Sequence, residues 1–165
     1  MCDLMNFKLT KEDRHFMIIA CDLASENVDR GGWPFGAVIV KNGEIIATGA
    51  NSVTLDNDPT AHAEVNAIRQ ACSLTRNFKL DGCVVYSSCE PCPMCLSALY
   101  WAGVSRIYYG NTAADADRID FGDAFIYKEI EKPHLDRMIP CIHMDGTDAI
   151  EAFNKWVDKE DKTEY

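Results

Sequence analysis

Residues 35–49, FGAVIVKNGEIIATG, hold two apolar runs, 35–40 and 44–49, on either side of Lys41-Asn42-Gly43. Asn-Gly at that point supplies two residues that tolerate positive φ, so the stretch reads as a β-hairpin. Upstream, residues 9–28 read as a helix. Thr10 is its N-cap, with Asp13 three residues on in an approximate capping box, and Phe16, Ile19, Ala20 and Leu23 share one face. Gly31-Gly32-Trp33-Pro34 ends it. Downstream, residues 51–60 form a polar loop, and Asp58-Pro59-Thr60 starts a helix over 61–72 with Val65, Ile68 and Cys72 on one face. A short buried strand follows at 83–87, then a helix at 91–102 with proline in its first turn, where a missing N–H costs nothing. Residues 106–110 read as a strand, 113–133 as mixed helix with an irregular piece at Phe121-Gly122-Asp123, 138–143 as a last strand and 147–159 as a last helix. A hairpin followed by alternating helices and strands implies an α/β fold: a mixed sheet with helices on both faces.

The chain has 165 residues, 47% of them hydrophobic, which suits one domain with a sizeable core. Lys plus Arg is 16 and Asp plus Glu is 26, a net charge of −10. Such a balance disfavours nucleic-acid backbones and anionic membranes, both of which need basic surface. No apolar run approaches the roughly 18 residues of a membrane span. The eight cysteines are too sparse for a disulfide scaffold, and residues 1–13 carry no apolar secretory segment, so a reducing cytoplasmic location is expected.

Two short patterns carry the chemistry: His62-Ala63-Glu64 and Pro91-Cys92-Pro93-Met94-Cys95. A catalytic zinc takes three protein ligands and leaves one position open. His62 at one helix start, with Cys92 and Cys95 at another, supplies one imidazole and two thiolates, and the two positive helix ends favour the charged thiolates. Glu64 is left for proton transfer beside a water whose pKa the metal lowers. His-x-Glu with a later Pro-Cys-x-x-Cys is the signature of zinc base deaminases. Three other readings remain open. Cys-x-x-Cys alone also suits a redox dithiol, which would not explain His62 and Glu64. Cys89, Cys92 and Cys95 partly match an iron–sulfur run, with Cys141 far away in sequence. A non-catalytic, zinc-stapled binding module would need Cys89 as fourth ligand; otherwise Cys89 is structural.

With these motifs the chain resembles the cytidine deaminase-like superfamily, and within it the guanine deaminases of the bacterial small-subunit type. The segments that carry the resemblance are residues 57–64, residues 88–95, and Asp123-Ala124-Phe125-Ile126-Tyr127-Lys128-Glu129 with the ending Glu164-Tyr165. The first two are shared with tRNA adenosine deaminases. The resemblance implies a three-layer α/β/α sandwich on a five-stranded mixed sheet. It also implies one catalytic Zn²⁺ per subunit, and a homodimer in which about residues 139–165 are exchanged. Residues 1–165 would then form one domain, and Tyr165 would cap the partner's pocket. By the same resemblance, Asn51 bonds a purine edge, Phe35 and Trp101 wall the ring, Ala63 contacts it, and Asp123 accepts from its N–H groups and assists proton transfer. Four of these residues have a plainer alternative: Phe35 as core, Trp101 as part of an apolar stripe, Asn51 as a turn residue, Asp123 as a helix cap. The implied reaction is guanine plus water giving xanthine plus ammonia. Guanosine, ammeline, adenine and tRNA adenosine are alternative substrates, and the −10 charge favours a free base over a polynucleotide.

Overall fold

The computed structural model describes residues 8–163, in two compact units divided after Tyr127. The first unit opens with helix α1 (Lys11–Asp29). Its Thr10 side chain accepts from Asp13 N–H at 3.0 Å, and the Asp13 carboxylate accepts from Thr10 N–H at 2.8 Å, the expected capping box. Strands β1 (Gly36–Lys41) and β2 (Glu44–Ala50) pair antiparallel, and Asn42 and Gly43 both adopt positive φ between them, at 53° and 82°. That turn matches the right-handed twist of the strands it joins. A short helix α2 (Val53–Asp56) interrupts the polar loop, and α3 (Ala63–Thr75) follows. Then come β3 (Val84–Cys89), α4 (Pro93–Ala102), β4 (Arg106–Asn111) and α5 (Ala113–Asp117). Helix α6 (Ala124–Glu131) spans the division between the units.

The sheet order is β2-β1-β3-β4, with β3 and β4 parallel and the other pairs antiparallel. Alternate side chains of a strand point to opposite faces, and the two faces bury two clusters. Val38, Val40 and Tyr86 meet Phe16 and Ala20 of α1 on one side. Ala37, Ile39, Ala47 and Val85 meet Ala63, Ala67 and Ala71 of α3 and Leu99 and Ala102 of α4 on the other. The α/β/α layering is therefore as expected, and the sheet is mixed.

The strand count differs. The sheet has four strands, because residues 138–143 form no strand among the described residues. The backbone there is engaged otherwise: Met138 N–H donates to the Glu129 carboxylate at 2.6 Å and Cys141 N–H to His134 O at 3.0 Å. Pro140 has no N–H to offer a ladder. The second unit contains a 3-10 turn (His134–Asp136) and helix α7 (Ala149–Asp158).

Two finer expectations also shift. Helix α3 buries a stripe of alanines, Ala63, Ala67 and Ala71, while Val65, Ile68 and Cys72 are only half-buried. The reason is close approach to β2. A Cβ on Gly49 would lie 2.1 Å from Ala63 O and 2.6 Å from Ala67 N, so only glycine on the strand and small residues on the helix fit. In α4 the proline of the first turn is Pro93, and Pro91 precedes the N-cap, Cys92.

Candidate metal centre and catalytic pocket

Two helix starts bring the metal-ligating side chains together. His62 is the N-cap of α3 and Cys92 the N-cap of α4, and Cys95 lies one turn into α4. His62 Nδ1 stands 3.5 Å from Cys92 Sγ and 3.5 Å from Cys95 Sγ, and the three donor atoms lie within 4.8 Å of one another. A tetrahedral zinc with Zn–S of ~2.3 Å and Zn–N of ~2.0–2.1 Å places nitrogen and sulfur ligands about 3.6 Å apart. The spacing fits that metal. Cys89 is outside the trio: its Sγ donates to Thr112 O at 3.8 Å, and burial pushes its thiol up to about 11. The fourth position is not taken by Cys89, which removes the donor that a closed structural site would need.

The electrostatics favour a thiolate at Cys92. Hydrogen bonding from the Cys95 thiol, with help from Cys95 N–H at 3.4 Å and from His62, lowers the Cys92 thiol to about 4. Cys95 moves the opposite way, because the proton of the pair rests on it beside the Cys92 charge. The Cys92 thiolate in turn holds the His62 imidazole above its ordinary value.

Glu64 lies in the first turn of α3, two residues past His62 and 6% exposed. Burial raises its carboxyl above the ordinary range. Ser87 of β3 donates to Glu64 Oε1 at 3.0 Å. A buried carboxyl with a raised pKa beside a metal site has the properties of a proton shuttle.

One cavity joins these groups. Its lining includes His62, Glu64, Cys92, Asn51, Phe35 and Asp123. Asn51 is 1% exposed, its Oδ1 accepts from Val53 N–H at 3.1 Å, and its carbonyl accepts from Asn27 Nδ2 at 2.7 Å. The turn role and the pocket role thus coexist in one residue. Asp123 stands just before α6, and burial, followed by the Cys92 charge, raises its carboxyl.

Two other expected contacts fall elsewhere. Ala63 buries its methyl in the α3–sheet core and is not part of the lining. Trp101 is 62% exposed at the far end of α4 and does not wall this cavity. Between Cys92, the N-cap, and Trp101 lie the intervening helical residues 93–100, a rise of roughly 13.5 Å at ~1.5 Å per residue. Tyr165 lies outside the described residues.

The sequence reading missed two aromatic walls. Trp33, taken only as part of a helix stop, packs edge-on to Phe121 with centroids 4.9 Å apart, and Phe35 does the same at 5.2 Å. Trp33 and Phe121 line the cavity. Aromatic residues next to a Gly-Pro break and next to Asp123 were the available signal. Glu90 also lines the cavity, its carboxylate accepting from Ala113 N–H at 2.9 Å.

An open three-donor metal site with a buried carboxylate beside it, at two helix starts on an α/β/α sandwich, defines a zinc-dependent hydrolytic deaminase. Residues 10–111 match the family described as the cytidine and deoxycytidylate deaminase zinc-binding region, and the chain belongs to that family. It is 51% identical over 151 residues to the guanine deaminase of Bacillus subtilis, covering 91% of this chain and 97% of the relative. The X-ray structure of guanine deaminase from Bacillus subtilis superposes with a TM-score of 0.91 at 49% identity, over 95% of this chain and 99% of that chain. A tRNA-specific adenosine deaminase of Aquifex aeolicus is 32% identical, over 88% of this chain and 93% of that protein.

Proposed function

We propose that this enzyme hydrolyses guanine to xanthine and ammonia. The observation that carries the reading is the joining of His62, Cys92 and Glu64 with Asn51, Phe35 and Asp123 in one cavity. The likeness to the guanine deaminase named above supports the choice of base. The charge lining agrees: Glu64, Glu90 and Asp123 are acidic, and no Lys or Arg among the described residues lines the cavity. An acidic pocket suits a neutral base with donor groups and disfavours a phosphorylated one.

His62 Nδ1 and the sulfurs of Cys92 and Cys95 would hold the metal. A zinc ion held there would supply Lewis acidity, lowering the pKa of a bound water to about 7. Glu64 takes a proton from the attacking water and passes it to ring N3 as the new C2–O bond forms. Glu64 or Asp123 then takes the remaining proton from the new C2–O–H and delivers it to the 2-amino nitrogen; the bond between C2 and that nitrogen breaks, its electron pair leaves on nitrogen, and the C2=O of xanthine forms as ammonia departs. Asp123 accepts from guanine N1–H and the 2-amino group, a donor pair matched to a carboxylate. Asn51, its Oδ1 steadied by Val53 N–H, donates Nδ2 to an acceptor on the purine edge. The aromatic faces of Phe35, Phe121 and Trp33 exclude water around the ring.

We further propose a cytoplasmic homodimer in which about residues 139–165 are exchanged and Tyr165 closes the partner's pocket. No helix among the described residues is long and apolar enough to cross a membrane. Ile139, Ile142, Phe153 and Trp156 are exposed by 80%, 73%, 70% and 48%, apolar surface that a partner would cover. Light scattering of the intact chain against a chain ending at 138 tests this: loss of the dimer on truncation supports it, and a monomeric intact chain refutes it.

Ammonia release from guanine, guanosine, adenine, ammeline, cytosine and cytidine tests the substrate. Guanine should be the preferred substrate. Turnover of cytosine or cytidine alone would overturn the purine reading.

A further inference from the structure

Ser87 is a polar residue in an apolar row. Strand alternation puts Val85 and Ser87 on the sheet face toward α3 and α4, where Val85 is wholly core. Ser87 is itself 2% exposed. A buried hydroxyl without a partner is costly to the fold, so its bond matters. That bond goes to Glu64 Oε1 at 3.0 Å. The backbone carrying Ser87 is held from both sides, paired with Ala37 of β1 and Tyr109 of β4.

We infer that Ser87 is a positioning residue for the proton-transfer carboxylate: its Oγ–H fixes Glu64 Oε1, and the proton travels through Oε2. A carboxylate in a cavity can rotate about its last torsion, which is broad and two-fold. The carboxyl also receives hydrogen bonds from its own N–H and the Cys95 thiol; of these partners only Ser87 belongs neither to its own backbone nor to the metal-ligating trio, and its bond to Oε1 leaves Oε2 to meet water and the ring nitrogen. General acid–base efficiency depends on that geometry before it depends on pKa. The inference rests on the reading of Glu64 as the proton shuttle.

The test compares Ser87→Ala, Ser87→Thr and Ser87→Val with Glu64→Gln, all loaded with zinc. Thr and Val share a shape and differ by the hydroxyl, so their comparison separates hydrogen bonding from packing. Ser87→Ala and Ser87→Val should lose about 10- to 100-fold in kcat, the range of a hydrogen bond to a charged group. KM should stay within about two-fold, because Ser87 touches the carboxylate and not the ring. Ser87→Thr should recover most of the kcat lost in Ser87→Val. In metal-free protein, infrared difference spectra should show the Glu64 carboxyl band shifted in Ser87→Ala and Ser87→Val and returned in Ser87→Thr. Equal kcat in Ser87→Thr and Ser87→Val, or an unshifted band, overturns the inference. If those two variants match while Glu64→Gln is inactive, only the role of Ser87 falls. Normal turnover by Glu64→Gln removes the proton-shuttle reading itself.

Discussion

Replacing Glu64 by Gln separates what the carboxyl does for chemistry from what it costs the fold. Gln keeps the length, the volume and an oxygen that can still accept from Ser87 Oγ–H, the 3.0 Å bond seen for Glu64 Oε1. It loses the ability to take and return a proton. General acid–base catalysis contributes about 10²–10⁴ in rate, equivalent to about 2.7–5.5 kcal/mol of transition-state stabilisation. Turnover should fall by that factor, with KM changed little, since binding the ring does not need the proton. Stability should move the other way. Burial at 6% exposure raises the Glu64 carboxyl, which means that the folded site penalises the charged form. An uncharged amide escapes that penalty, so the metal-free variant should melt no lower than the parent at neutral pH. The assay pairs xanthine formation at saturating guanine with thermal unfolding of protein treated with a chelator, and zinc content is measured on the loaded form. A variant that melts far below the parent, or one that keeps near-normal turnover with full zinc, would refute the reasoning.

The remaining predictions concern the metal, the helix that carries it, and a distant titrating pair. Cys95→Ala should bind zinc at least about 10-fold more weakly and lose turnover, because two donors replace three at the site; atomic absorption after dialysis checks it, and chelator-inactivated parent should regain activity with added Zn²⁺. Gly49→Ala should destabilise by about 1–3 kcal/mol and lower zinc affinity, since the new methyl would meet Ala63 O at 2.1 Å, next to His62; unfolding curves and zinc titration read both. Tyr86→Phe should cost about 1 kcal/mol at neutral pH, a fall in Tm of roughly 2–4 °C. The Tyr86 hydroxyl donates to Asp13 at 2.7 Å and is the first cause holding that carboxyl below its ordinary 3.8. A depressed carboxyl stabilises the fold above its unfolded value, and that contribution is lost as pH falls through the lower folded value. The difference between parent and Tyr86→Phe should therefore shrink below about pH 3.8.

The metal chemistry was legible because it is local. His62 and Glu64 are two residues apart, Cys92 and Cys95 three, and a helix start turns such spacing directly into geometry. The hairpin was legible for the same reason, since Asn42-Gly43 encodes its own turn. The pocket walls were not, because they meet across long separations. Trp33 and Phe121 become neighbours only after α1, the sheet and α5 have packed. Ser87 sits inside a strand that reads as uniformly buried, and no pattern along the chain marks its bond to Glu64. Residues 138–143 show the converse error. Met138, Ile139 and Ile142 have the composition of a strand, but a strand also needs a neighbour, and the N–H groups of Met138 and Cys141 bond to Glu129 and His134 instead. The family resemblance places Trp101 at the ring wall, whereas the length of α4 carries it away from this chain's cavity.

The central claim is that a metal at His62, Cys92 and Cys95, with Glu64, replaces the 2-amino group of guanine by oxygen from water. Guanine turned over in ¹⁸O-labelled water by zinc-loaded enzyme, followed by mass spectrometry and an ammonia assay, tests it most directly. The account predicts xanthine carrying one labelled oxygen and one equivalent of ammonia, both formed at least about 10²-fold more slowly by Glu64→Gln. Unchanged guanine in the presence of full zinc, or xanthine without the label, would contradict it.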